Sequence, residues 1–164
     1  VIFLGYHSST TNPQGVRAHT ISSARLADVR LNNISMSEGG INAAIAGHFN
    51  VPVIMVSGDD AAVKEVTALL GDVEGAVVKW NYGFHSAKTI MPEAAYALIR
   101  EKVKKAIGRI KEFKPYKLKP PIQLDVRFKS YRPSSSSHFC SFSISFSWSS
   151  FIIIAIFLII VSCP

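Results

Sequence analysis

Two histidines and one glutamate are the residues of this chain best suited to chemistry. In GYHSSTTNPQGVRAH, residues 5–19, His7 and His19 bracket a polar loop, and Glu38 stands nineteen positions further on. Imidazole can ligate a metal or move a proton near neutral pH, and a carboxylate can do either beside it. His7 falls just past the apolar run VIFL, at a strand end, where α/β folds place ligand sites. A single histidine there is more often a hydrogen-bonded structural residue than a ligand. Glu38 heads a helical stripe that continues through Ile41, Ile45 and His48 or Phe49. It therefore reads in two ways: as a carboxylate turned toward the core with a cation to compensate it, or as a charge that favours a helix N-terminus. The three together form a candidate zinc or acid–base set, although their spacing matches no short metal motif such as HExxH.

Other polar groups read as structural. Asp59 and Asp60 stand at a helix start, where capping is their expected role. Ser8, Ser9, Thr10 and Thr11 lack a GxSxG elbow, which argues against a serine hydrolase. His48 and His85 have no evident chemical partner in the sequence.

The elements that must position these residues follow from hydrophobic period and turn chemistry. Residues 1–4 read as a buried strand ended by Gly5, and 8–15 as a loop rich in Ser, Thr, Asn, Pro and Gly. Residues 27–31 and 34–36 flank Asn32-Asn33, a hairpin turn, because Asn tolerates positive φ. Ser37 caps a helix running to about Phe49. Residues 51–56 are apolar and β-branched, hence a strand. Gly58-Asp59-Asp60 opens a second helix with Val63, Val66, Leu69 and Leu70 inward. Residues 76–80 make another strand, and Pro92 suits the first turn of a long basic helix. Residues 122–128 alternate apolar and polar, as a half-buried strand does. Strands alternating with helices predict an α/β fold, layered, with a mostly parallel or mixed sheet flanked by helices.

The chain has 164 residues and a formal net charge of +7. Such a balance raises nucleic acid as a partner. The basic excess, however, gathers in residues 100–119, where Arg100, Lys102, Lys104, Lys105, Arg109 and Lys111 interleave with Ile99, Val103, Ala106, Ile107 and Ile110. That spacing makes the basic residues the wet face of an amphipathic helix, and no aromatic residues interleave to stack on bases. The expectation is no nucleic acid.

All 29 Asp, Glu, Lys and Arg residues (18 basic, 11 acidic) lie at or before Arg132. Residues 133–164 are mainly Ser, Phe and Ile, and hold both cysteines, Cys140 and Cys163. The chain thus divides into a partial α/β domain, 1–132, and a low-complexity hydrophobic tail, 133–164. Residues 146–163 are about long enough to cross a bilayer, with basic residues on the near flank that would stay cytoplasmic. The rival reading is a translation error, favoured by low complexity and the sudden loss of charge. A cysteine-free globular part without a signal peptide suits a cytoplasmic setting, membrane-tethered only if the tail is genuine. Val1 opens inside a strand and reads as a cut edge.

Several stretches, in order, carry a resemblance: FLGYH, then PxGVxAHT, then SEGGINAAIAGHFNVPVIMVSGDDAAVKE, then AVVKW and SAKTIMPEAA. From about Ile2 to about Phe128 the chain resembles the binuclear-zinc D-aminopeptidases. The resemblance implies an α/β fold, a self-compartmentalising ring of subunits, two zinc ions, and removal of N-terminal D-amino acids from short peptides. Carried over by position, His7 matches a histidine ligand of one zinc, Glu38 a glutamate ligand of the other, and His19 the histidine with a catalytic role. The departures are specific. The family's Asp-x-Glu pair and a further ligand histidine precede the strand that opens this chain. The loop from His7 to His19 is one residue longer than the family pattern, and after about Phe128 the Ser/Phe/Ile tail takes the place of the family's C-terminal portion. The expectation is a zinc aminopeptidase present as an inactive fragment. The competing expectation is a non-catalytic α/β binding or assembly remnant, anchored or not by the tail; a nucleic-acid binder is the weaker third.

Overall fold

The apolar opening run forms strand β1 (Ile2–Tyr6) in the computed structural model of the chain, which describes residues 1–129 and 141–146. β2 (Leu26–Leu31) and β3 (Ile34–Ser35) follow, joined as expected by Asn32-Asn33, both at positive φ (49° and 66°). Two residues in that conformation match the twist of the flanking strands, so Leu31 pairs directly with Ile34. Helix α1 (Glu38–His48) starts at Ser37, whose Oγ accepts from the Gly40 N–H. Beyond it lie β4 (Met55–Asp59), α2 (Asp60–Leu70), β5 (Glu74–Gly83), β6 (Ser86–Thr89), α3 (Pro92–Gly108), a short 3₁₀ turn at Ile110–Glu112, β7 (Ile122–Phe128) and β8 (Ser141–Phe146).

The strands form two sheets. In the first, of order β1-β4-β5-β6, β1, β4 and β5 run parallel and β6 returns antiparallel. In the second, of order β3-β2-β7-β8, every pairing is antiparallel. The α/β class and the mixed sheet flanked by helices are as the sequence led one to expect. The second sheet goes beyond that expectation, as do β6 and β8. β8 lies inside the segment set apart as tail, and pairs from Arg127↔Ser141 to Ile122↔Phe146. The rest of the tail, including all but the first residue of the 146–163 span, lies outside the described residues. No helix among the described residues is long and apolar enough to cross a membrane.

Three apolar clusters show the layering. Ile54, Met55, Ala76 and Phe113 pack with Ala106 of α3 on one face of the first sheet. Phe3 and Val56 pack with Ala43 of α1 and with Val63 and Val66 of α2 on the other. Ala44 of α1 joins Leu26, Val29, Leu31, Leu124 and Val126 of the second sheet. Adjacent alanines on α1 therefore face different clusters, and α1 sits between the two sheets.

Four sequence readings need correction. The opening run is not a buried strand: Phe3 is buried, but Val1, Ile2 and Leu4 are exposed, since β1 stands at the end of the first sheet's strand order. The buried face of α1 is Gly39, Gly40, Ala43, Ala44 and Gly47; Ile41 and Ile45 are half-buried, and His48 and Phe49 are exposed. The reason is backbone proximity: a Cβ at Gly47 would lie 1.7 Å from the Tyr116 carbonyl oxygen, so only small residues let that segment lie on the helix. β4 begins four residues later than 51, where its ladder with β1 starts at Ile2↔Met55, and runs on through Gly58, which lets the Tyr6 carbonyl approach to where a Cβ would stand 2.2 Å away. On the basic helix and its extension, Ile107 and Ile110 are exposed, while Lys102, Lys105 and Arg109 converge on Glu74, which is only 4% exposed. Part of the expected wet face is thus an ion-pair network that ties α3 to β5.

Candidate metal and acid–base centre

Three elements deliver the candidate side chains. His7 leaves the end of β1, Glu38 is the first residue of α1, and His19 closes the loop between β1 and β2. The structure brings all three together: one ligand atom from each lies within 4.8 Å of the others. His7 Nε2 stands 3.1 Å from Glu38 Oε2, and the two imidazoles stack with centroids 3.8 Å apart at 22°. The second Glu38 oxygen, Oε1, accepts from the Ile21 N–H at 3.2 Å. The carboxylate at the head of α1 is therefore half-buried and directed at a partner, while it also stands in the first turn of the helix, so both sequence readings describe its position.

The inner nitrogens are committed to the backbone. His19 Nδ1 lies 2.6 Å from the Arg17 carbonyl and His7 Nδ1 3.4 Å from the Ser8 carbonyl. A carbonyl only accepts, so His19 Nδ1 carries a proton and its neutral ring is left with the lone pair on Nε2. His7 Nε2 faces a carboxylate, which also only accepts, so in the metal-free site that nitrogen carries a proton and donates to Glu38. The hydrogen bond from His7 is the main cause that holds the Glu38 carboxyl below its ordinary value, against the opposing effect of burial. Reciprocally, the bond to Glu38 raises the His7 imidazole above its ordinary value, also against burial.

The loop that carries His19 is held by residues far away in sequence. Glu65 of α2 accepts from the Ser9 N–H and the Ser9 hydroxyl, both at 2.9 Å, and from Asn12 Nδ2 at 2.7 Å. Asp59 caps α2 by accepting from the Ala62 N–H at 2.6 Å, and its other oxygen accepts from the Val16 N–H at 2.8 Å. Capping was its expected role; anchoring the loop is an addition. The His19 N–H donates to the Ser8 carbonyl at 3.1 Å, and the Thr20 hydroxyl donates to the Met36 carbonyl at 2.8 Å. Sequence reasoning missed Glu65 and Thr20, because a Glu on a helix and a Thr in a loop carry no signal until their partners are placed. His48 and His85 stand outside the cluster; His85 Nδ1 accepts from the Arg17 guanidinium at 3.0 Å.

Two imidazoles and a carboxylate in a half-buried setting form the nitrogen–oxygen donor set that suits zinc. The residues present therefore fit such an ion, with His7 and Glu38 as the ligands the sequence pointed to and His19 close enough to act beside them.

Comparison with known proteins gives concordant findings. A family model described as D-aminopeptidase matches residues 1–143, past the Phe128 limit of the resemblance seen in the sequence. A D-aminopeptidase of Bacillus subtilis (strain 168) is 36% identical over 135 residues, which are 79% of this chain and 47% of that protein. The solved structure of a Zn-dependent D-aminopeptidase, DppA from Bacillus subtilis, described as a self-compartmentalizing protease, matches with a TM-score of 0.79 at 28% identity. That match covers 88% of this chain and 56% of the other. The chain thus spans about half the length of the relatives it matches.

Proposed function

Because the chain belongs to the D-aminopeptidase family, we propose that it forms part of a zinc-dependent aminopeptidase that removes N-terminal D-amino acids from short peptides. The observation that carries this reading is the convergence of His7, His19 and Glu38 from three separate elements. A remnant that had lost its site would have no reason to keep a charged carboxylate at the head of α1 pointed at an imidazole. His7 would hold one zinc and Glu38 the other. Zinc bound there supplies carbonyl polarisation and an acidified water. His19, with Nδ1 committed to a carbonyl, offers Nε2 for proton transfer during attack or departure of the amine. The relative's self-compartmentalizing character extends the proposal to assembly with copies of itself into a ring, set in the cytoplasm.

The three donors gathered among the described residues are fewer than two four-coordinate zinc ions require, so the 164-residue chain alone is expected to be inactive. The test has two arms. Zinc retained by the purified chain after dialysis should fall at least about tenfold in His7→Ala and Glu38→Gln, as loss of a direct ligand demands. A polypeptide joining this chain to the preceding segment of the Bacillus subtilis relative should release D-alanine from a D-alanyl dipeptide and leave the L-isomer intact. Equal zinc retention by all three forms, or cleavage of the L-isomer alone, would overturn the reading.

A further inference from the structure

His19 is oriented by a chain of contacts that ends outside the centre, at the tip of the β5–β6 hairpin. Its Nδ1–H donates to the Arg17 carbonyl at 2.6 Å, and the Arg17 N–H donates to the Phe84 carbonyl at 2.9 Å. The Arg17 side chain grips the same tip. Its guanidinium lies 5.6 Å from the centroid of the Phe84 ring and donates to His85 Nδ1 at 3.0 Å. Arg17 also sits at φ +54°, in the left-handed region that a residue with a Cβ adopts only when its surroundings impose it. On one side its neighbour Val16 is fixed by Asp59, and on the other His19 is fixed by Ser8. The left-handed turn at Arg17 is what directs its carbonyl at the imidazole.

We propose that Arg17 is a positioning residue: clamped by Phe84 and His85, it holds the strained turn whose carbonyl fixes the tautomer and orientation of His19. The assignment rests on the proposed role of His19 in proton transfer, since a fixed Nδ1–H leaves Nε2 as the working nitrogen. The clamp works through two separable parts. The side chain supplies attachment to the hairpin, and the backbone supplies the direction of the carbonyl. Any residue at this position keeps the backbone bond to the Phe84 carbonyl; a glycine accepts the left-handed conformation without the side-chain grip, whereas an alanine has neither the grip nor the freedom.

The parts separate by experiment. Histidine tautomers are read by two-bond proton–nitrogen NMR on the ¹⁵N-labelled, chelator-treated full chain, for the parent, Arg17→Ala, Arg17→Gly and Phe84→Ala. The parent should show His19 as a single Nδ1–H tautomer. Arg17→Ala and Phe84→Ala should lose that signature to a mixture of tautomers, Arg17→Gly should keep it, and His48 should be unchanged throughout. An Nε2–H tautomer in the parent, a parent-like His19 in both alanine variants, or equal loss in the glycine and alanine variants at position 17 would overturn the proposal. If Arg17→Ala does not fold, Phe84→Ala, at an exposed ring, decides the side-chain half and Arg17→Gly the backbone half. Zinc titration of the same samples keeps the two claims apart: loss of zinc binding in the parent refutes the metal centre and leaves the tautomer pattern to stand or fall independently.

Discussion

The His7–Glu38 contact sets two demands against each other at one nitrogen. Without metal, His7 Nε2 faces a carboxylate that favours the protonated ring; as a zinc ligand the same nitrogen must give its proton up. The signs follow from the two shifts. Glu38 is held below its ordinary 4.5, so its contribution to stability is present above that value and is lost as pH falls through its folded value. His7 is raised above its ordinary 6.5, so its contribution is complete below that value and is lost as pH rises through its folded value. Metal-free protein should therefore gain most from the pair between pH 4.5 and 6.5, with losses on both sides that His7→Ala abolishes. Zinc binding near pH 6.5 should release a proton, seen as a calorimetric heat that varies with the ionisation enthalpy of the buffer; a buffer-independent heat would show that His7 is already neutral. At this scale the sequence was informative in residue type. A histidine at a strand end and a carboxylate at a helix head were legible as chemistry, and the family resemblance supplied their roles. Glu65, Arg17 and Phe84 were not: the carboxylate of Glu65 meets partners 56 positions away, and Arg17 and Phe84 act through backbone carbonyls that any residue possesses.

Helix α1 shows how periodicity misleads when burial comes from close approach rather than from apolar bulk. The pattern of Ile41 and Ile45 implied a stripe of large side chains facing inward, yet the face in deepest contact is made of Gly and Ala. A hydropathy pattern registers what a residue could contribute to a core, and it is silent about a carbonyl that needs the space a side chain would take. Gly47→Ala should destabilise the protein by about 2 kcal/mol or more, the scale of overpacking with little room to adjust, because the obstructing atom is the Tyr116 backbone. Gly108→Ala, at the end of α3 where a Cβ meets nothing within 4 Å, should be neutral or stabilising by up to about 1 kcal/mol. Urea midpoints of the two variants measure the difference; similar midpoints would refute the packing account. Caps and turns were read more reliably than faces. Ser37, Asp59, Asn32-Asn33 and Pro92 all occupy the positions expected of them, since their roles depend on neighbours within a few residues.

Across the whole molecule, the basic excess that suggested a polyanion partner is partly spent internally. Glu74 on β5 faces Lys105 and Arg109 at 3.1 and 2.9 Å and Lys102 at 3.6 Å, so one buried carboxylate fastens α3 to the first sheet. Burial alone would raise the Glu74 carboxyl, but the hydrogen bonds from Lys105 and Arg109 outweigh it and hold the group below its ordinary 4.5. Its contribution is therefore present above that pH and lost on acidification. Glu74→Gln should lower the thermal midpoint at pH 7 and flatten the acid limb of the stability profile; an unchanged midpoint would show that the three cations are equally well served by solvent. The first sheet and its helices were legible because apolar runs alternate with capped amphipathic segments. The second sheet was only half visible. Its β2–β3 hairpin announced itself through Asn32-Asn33, whereas β8 lies in a chargeless Ser/Phe/Ile stretch whose composition resembles no ordinary globular segment.

The anchoring of the loop also fixes an order of events. His7 and His19 leave the ribosome before the groups that hold their loop, Asp59, Glu65 and Phe84, which lie 43 to 67 residues downstream of the atoms they secure. Contacts of such separation form late in folding. The nascent histidines stay without their working arrangement until the ribosome has delivered the hairpin, so the centre matures after the strands and helix that anchor its loop, and capture of an ion there reports that those elements are already in place.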